Sequence, residues 1–95
     1  MTIRLSPRAL RDTESILAYL LERSPAAAIG LRESLARSIE AIGVFPAAGR
    51  ECLPGVRVTA LRRYPYLVYW RVERDGVTVL HIRHASRRPW RGIRS

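Results

Sequence analysis

The sequence predicts an α+β domain in which two helices pack on one face of an antiparallel sheet, in the order strand, helix, helix, strand, strand, strand. Three observations carry this. Ser6-Pro7 and Ser24-Pro25 each stand ahead of a stretch with helical apolar spacing. From Val56 onward the apolar spacing changes to two. Asp75-Gly76 then separates two runs rich in β-branched residues, as a hairpin turn does.

Each element follows from local chemistry. Thr2 to Leu5 reads as a short strand, with Ile3 and Leu5 on one face. Ser6 can accept from the orphan N–H groups of a helix start, and Pro7 suits the first helical position. Leu10, Leu17, Leu20 and Leu21 mark the apolar stripe of this helix, with Ile16 beside it, and Asp12 and Glu14 near its start favour the dipole. Ser24-Pro25 repeats the start signal for a helix over about residues 26–42. Gly43 suits its C-terminal cap and Pro46 stops it. Short loops make the two helices an antiparallel hairpin. Residues 46–55 read as a loop containing Cys52. Strands are expected from Val56 to about Leu61, from Tyr66 to Val72 and from Val77 to His84, forming a three-stranded antiparallel sheet. Strict alternation in the last strand puts Val77, Val79, His81 and Arg83 on one face, and Thr78, Leu80, Ile82 and His84 on the other. Residues 1–88 are expected to form one domain, and 89–95 a basic flexible tail.

Composition narrows the function. The chain has 95 residues, enough for one modest core. Its 17 basic residues are all arginine and face 8 acids, a net charge of +9. Residues 1–48 hold six Arg and five acids (+1), and residues 49–95 hold eleven Arg and three acids (+8). A positive field on the second half points to an acidic partner, nucleic acid or protein. No run is long enough for a membrane span, and Met1 to Leu10 holds no signal-peptide core. One cysteine allows no internal disulfide, and one cysteine with two histidines falls short of the four Cys/His ligands of a structural zinc site. The expected compartment is the reducing cytoplasm, with no metal and no cofactor.

Enzyme signatures are absent: no Gly-rich phosphate loop, no Gly-x-Ser-x-Gly elbow and no His-Glu-x-x-His. What stands out is a basic and aromatic group. Arg62-Arg63-Tyr64-Pro65-Tyr66 leads into one strand, and Arg83-His84-Ala85-Ser86-Arg87-Arg88 leaves another. A tight Asp75-Gly76 hairpin brings Tyr66 opposite residues 83–85, so both groups meet at one end of the sheet. Arginines there can grip phosphates and tyrosines can stack on bases. Such a site can also cleave RNA without metal, with arginine stabilising the phosphorane charge and His84 or a tyrosine moving protons. Equally, arginines on a sheet rim guard against edge-to-edge aggregation. His81, sharing a face with Val77 and Val79, reads as a packed or edge histidine. Trp70 reads as sheet packing, and Trp90 as an interface anchor or an exposed side chain.

Five segments together resemble a known family. They are Leu5-Ser6-Pro7-Arg8-Ala9, Ser24-Pro25-Ala26-Ala27-Ala28, Phe45-Pro46-Ala47-Ala48-Gly49-Arg50, the run Tyr64 to Val72, and the run Val79 to Arg87. In this order, over residues 2–88, the chain is similar to the RelE/ParE superfamily of bacterial type II toxins. The resemblance implies a RelE/ParE-like β-α-α-β-β-β fold and a toxin neutralised by a cognate antitoxin with an acidic, amphipathic C-terminal segment. RelE-like members cleave mRNA on the ribosome, whereas ParE-like members inhibit DNA gyrase by binding. Several residues that mark the nuclease branch are missing. The chain has no lysine, Tyr66 rather than arginine precedes Leu67-Val68-Tyr69, and no tyrosine follows Tyr69, although Arg87 matches a later arginine. His84-Ala85-Ser86-Arg87 is similar to the His-Gly-Ala-Arg ending of ParE-like sequences. The ParE-like reading therefore leads. It implies no catalytic residue and a target surface of Arg62, Arg63, Arg83, His84, Arg87 and Trp90. The nuclease alternative uses His84 as proton carrier, Arg63 and Arg87 on the phosphate, and Tyr66 or Tyr69 on a base. A non-toxic relic that only binds antitoxin is the third reading.

The hairpin is expected to bury Leu17, Leu20, Leu21, Leu31, Leu35 and Ile39. A domain of this size cannot cover every apolar face it has. The expected antitoxin contacts are Tyr19 and Ile29 on the helices and Val58, Tyr66 and Trp70 on the sheet.

Overall fold

The computed structural model describes residues 2–86. Strand β1 (Thr2–Leu5) leads into helix α1 (Pro7–Arg23) and helix α2 (Pro25–Val44). Four strands follow: β2 (Arg50–Leu53), β3 (Val56–Ala60), β4 (Tyr66–Glu73) and β5 (Gly76–His84). Both helix starts are as the sequence predicts. Ser6 Oγ accepts the Ala9 N–H at 3.0 Å, and Ser24 Oγ accepts the Ala27 N–H at 3.2 Å, each with proline next in the chain. Each such cap is worth about 1 kcal/mol relative to alanine.

The sheet departs from the three-stranded antiparallel expectation. It has five strands in the order β1-β5-β4-β3-β2 and is mixed, because β1 runs parallel to β5 with Thr2 opposite Gly76 and Leu5 opposite Val79. The segment around Cys52, read as loop, is the edge strand β2, paired antiparallel with β3 and irregular between Glu51 and Leu53. Four residues without clean alternation carry too little periodicity to signal a strand.

Two glycines serve close packing rather than the roles the sequence suggests. Helix α2 continues past Gly43 to Val44 and is capped by Phe45. A methyl at Gly43 would meet Ile3 Cδ1 at 2.6 Å, so this glycine lets β1 approach the helix. Gly76 lies in β5 opposite Glu73, which leaves Arg74-Asp75 as the two-residue turn. A methyl at Gly76 would meet the Thr2 carbonyl oxygen at 2.1 Å, so here too the parallel strand requires glycine.

Most of the core lies between the helices and the sheet. Leu31, Leu35 and Ile42 of α2 meet Val68, Trp70, Val77 and Val79 of the sheet. Trp70 is 1% exposed, and its Nε1–H donates to the Pro46 carbonyl at 2.9 Å. A second cluster, Val56, Val58, Tyr69 and Leu80, forms separately. Alternation along β4 sends Tyr66, Val68 and Trp70 to the helices and Leu67 and Tyr69 to the opposite face.

Strict alternation fails in β5. Tyr69 pairs with His81 but Trp70 pairs with Val79, so Leu80 is an extra residue, a β-bulge. Before it, Val77 and Val79 face the helices; after it, Ile82 does. Leu80, His81 and Arg83 therefore share the other face with Tyr69 and Leu67, their neighbours in the ladder. The predicted grouping of His81 and Arg83 with Val77 and Val79 is corrected by this one inserted residue.

Candidate functional site

The loop between β3 and β4 is built from α2 outward. The Ser34 hydroxyl, in a buried residue of α2, donates to the Arg62 carbonyl at 3.1 Å. The Tyr64 ring lies over Gly30, where a methyl would meet its hydroxyl oxygen at 1.8 Å. Leu61 N–H donates to the Tyr66 carbonyl at 2.9 Å, and Tyr66 N–H to the Tyr64 carbonyl at 2.8 Å. Held in this way, Arg62 and Arg63 are exposed. Arg63 has φ = 71°, a left-handed conformation uncommon outside glycine and costing about 1–2 kcal/mol.

The end of β5 meets this loop as the sequence predicts. Tyr66 pairs with His84, and Ala85 N–H donates to the Pro65 carbonyl at 2.8 Å. The Tyr66 and His84 rings touch edge to face, with centroids 5.2 Å apart. His84 Nδ1 lies 3.1 Å from the Ser86 amide nitrogen and 2.7 Å from its hydroxyl. The amide can only donate, so Nδ1 is an acceptor and the ring proton of neutral His84 sits on Nε2.

Not every predicted site residue is presented. Arg83 is buried, 7% exposed, because the bulge turns it onto the face of Tyr69 and away from the Arg62–Arg63 loop. Arg87 and Trp90 lie outside the described residues. Val58, Tyr66 and Trp70, expected to be partly exposed, are all buried. Tyr66 and Trp70 pack into the helix-facing core and Val58 into the second cluster. Of the five expected antitoxin contacts, only Tyr19 and Ile29 are exposed.

The helical hairpin carries an exposed apolar groove. Leu21 and Ile29 are 59% and 60% exposed. With Leu17, Ala18, Ala28 and Arg32 they line a groove of about 260 Å³. Leu21 was expected in the core; α1 instead turns Ala9, Ile16, Leu17 and Leu20 inward, leaving Leu10 and Leu21 outside. Tyr19 lies beneath the Arg23 guanidinium, 3.7 Å from the ring centroid, a cation–π contact on the same helix.

One polar cluster escaped the sequence reading. Asp12, assigned there to the helix dipole, accepts from His81 Nδ1 at 2.6 Å and from Ile82 N–H at 3.0 Å. Arg8 approaches His81 Nε2 at 3.5 Å, and the His81 ring stacks on Tyr69. Burial lowers the His81 pKa below the ordinary value; Asp12 opposes the shift, and Arg8 and Arg83 add to it. Burial likewise raises that of Tyr69. Asp12 and His81 are 69 positions apart, and no local pattern joins them. Among the described residues no group of His, Cys, Asp and Glu could hold a metal ion, and no helix is long and apolar enough to cross a membrane.

This architecture is a small basic α+β domain with an exposed arginine loop at one end of the sheet and an apolar groove on the hairpin. Residues 3–89 match the model of the ParE toxin of the type II toxin-antitoxin system parDE, and the chain belongs to this family, within the RelE/ParE superfamily of toxins. It is similar to the Y4kP protein of Sinorhizobium fredii, 33% identical over 84 residues, 87% of this chain and 86% of that one. It is also similar to Toxin RelE3 of Caulobacter vibrioides, 28% identical over 89 residues, 92% of this chain and 97% of that one. A solved structure of the chromosomal ParDE system from P. aeruginosa has the same fold, with a TM-score of 0.79 at 22% identity, covering 90% of this chain and 97% of that one.

Proposed function

We propose that this toxin acts in the cytoplasm by binding DNA gyrase and that a cognate antitoxin neutralises it. The observation that carries the reading is the state of His84. Its Nδ1 lone pair accepts from Ser86, so neutral His84 presents Nε2–H as a hydrogen-bond donor, a form suited to binding a partner's acceptor. The nuclease alternative needs a tyrosine to stack on a base, and both candidates, Tyr66 and Tyr69, are buried. The same end of the sheet suits a binding role: Arg62 and Arg63 are exposed on a loop held by Ser34 and Tyr64, beside a His84 Nε2–H donor. A preformed loop loses little entropy on docking, and its charge favours an acidic surface.

For the antitoxin, the proposed seat is the hairpin groove around Leu21 and Ile29, which Arg32 also lines, with the exposed Tyr19 of α1 as a further contact. An amphipathic helix with acidic flanks fits both its apolar lining and the net charge of +9. Supercoiling by purified gyrase titrated with the toxin tests the target. Inhibition relieved by antitoxin is the expected result, and undiminished supercoiling at saturating toxin overturns it. Codon-phased mRNA cuts in primer extension from expressing cells would transfer the protein to the nuclease branch.

A further inference from the structure

Strand β1 stops at Leu5, opposite Val79, yet β5 runs on to His84. Beyond Val79 no described strand flanks the outer edge of β5. Groups at the start of α1 take over the pairing. Ser6 N–H donates to the Val79 carbonyl and Ser6 Oγ–H to the Leu80 carbonyl, both at 2.9 Å. Nearly two turns further along the helix, Asp12 Oδ2 accepts the Ile82 N–H at 3.0 Å and His81 Nδ1–H at 2.6 Å. The carboxylate thus stands where the carbonyl of a neighbouring strand would stand.

These contacts bracket the bulge. Leu80 is the extra residue between Val79, opposite Trp70, and His81, opposite Tyr69. A bulge is a choice of register. If the pairing that begins at Glu73–Gly76 ran on evenly, Tyr66 would face Arg83 instead of His84. A one-residue slip moves every later side chain to the other face. His84 would leave the Arg62–Arg63 loop, and Arg83 would take its place. His81 would also lose its stack on Tyr69, whose ring centroid is 5.9 Å from its own.

We propose that Asp12 is the positioning residue that holds this register. By binding Ile82 N–H and the His81 ring through one oxygen, it keeps the bulge at Leu80. It thereby keeps His84 at the arginine loop and Arg83 on the opposite face. The functional consequence rests on the target reading above; the structural statement does not.

The test compares the full-length toxin with Asp12→Ala and Asp12→Asn. It reads amide exchange by NMR, the contact between the Tyr66 and His84 rings, and gyrase inhibition. The Ala variant loses an acceptor for a buried amide, so Ile82 should exchange about tenfold faster or more while Val68 is unchanged. The Tyr66–His84 ring contact should weaken together with inhibition. The Asn variant, whose amide oxygen can still accept, should restore both. Wild-type exchange at Ile82 and an intact ring contact in the Ala variant would overturn the proposal. If the Ala variant does not fold, the ring nitrogens of wild-type His81 decide, since the proposal requires the proton on Nδ1 at neutral pH and a proton on Nε2 alone overturns it. The exchange and ring measurements need no gyrase, so failure of the target reading leaves them intact.

Discussion

Tyr64 covers Gly30 so closely that no side chain fits at that turn of α2: a methyl would lie 1.8 Å from the tyrosine hydroxyl and 3.0 Å from the ring carbon bearing it. The helix therefore carries a glycine in its interior, at a cost of about 1 kcal/mol relative to alanine, to seat the loop that presents Arg62 and Arg63. Gly30→Ala should regain helix propensity while expelling the tyrosine. We predict stability within about 1 kcal/mol of wild type by urea unfolding. Gyrase inhibition should weaken, because the loop has lost its seat. Full inhibition in this variant would show that the loop's conformation is immaterial to the target contact.

Trp70 anchors the sheet to the segment after α2 through its indole N–H and the Pro46 carbonyl. Trp70→Ala should cost about 3–5 kcal/mol, enough to leave a marginal domain largely unfolded. Trp70→Phe keeps much of the packing but leaves the Pro46 carbonyl without its donor, at about 1–3 kcal/mol. Circular dichroism across a denaturant series measures both, and an Ala variant as stable as the Phe variant would contradict the packing account.

His81 makes folding sensitive to acid. Its folded pKa lies below 6.5, first because of burial, so the folded state binds its proton less readily than the unfolded chain. Its contribution is complete above the unfolded value and is lost as pH falls from about 6.5 through the lowered folded value. Thermal melts between about pH 7.5 and 5 should show wild type losing stability faster than His81→Gln. Parallel curves for the two proteins would exclude His81 as the titrating group.

The hairpin groove yields a separable prediction. Leu21→Glu and Ile29→Glu alter exposed positions and should change stability by no more than about 0.5 kcal/mol. Each should weaken antitoxin binding about ten- to a hundredfold, by removing an apolar anchor and repelling an acidic partner. Wild-type association should slow as salt rises from about 0.05 to 0.5 M, while the Glu variants act mainly on dissociation. An association rate indifferent to salt would mean that the arginine surplus does not guide the antitoxin.

The candidate site was partly legible in the sequence. Arg62, Arg63 and the end of β5 could be placed together because a hairpin turn fixes the pairing to within a residue; the bulge at Leu80 then makes His84, not Arg83, the partner of Tyr66. Arg83 was misplaced because both faces of β5 are apolar, so alternation alone carries no mark of an inserted residue. Asp12 and His81 were missed because each has an adequate local role, one near a helix start and the other in a strand.

The local elements were determined by the sequence itself: two helices opened by Ser6-Pro7 and Ser24-Pro25, and three strands with a period of two. These signals act between residues a few positions apart, so they can be read without the tertiary structure. Tertiary structure alone decided the parallel β1–β5 pair, the edge strand β2 and the bulge at Leu80. Each depends on which backbone groups find partners once the helices cover one face. Parallel pairing puts β1 beside a strand more than seventy residues later and ends it at Leu5, opposite Val79. The remaining edge of β5 is closed by whatever α1 places there, and that group is the Asp12 carboxylate.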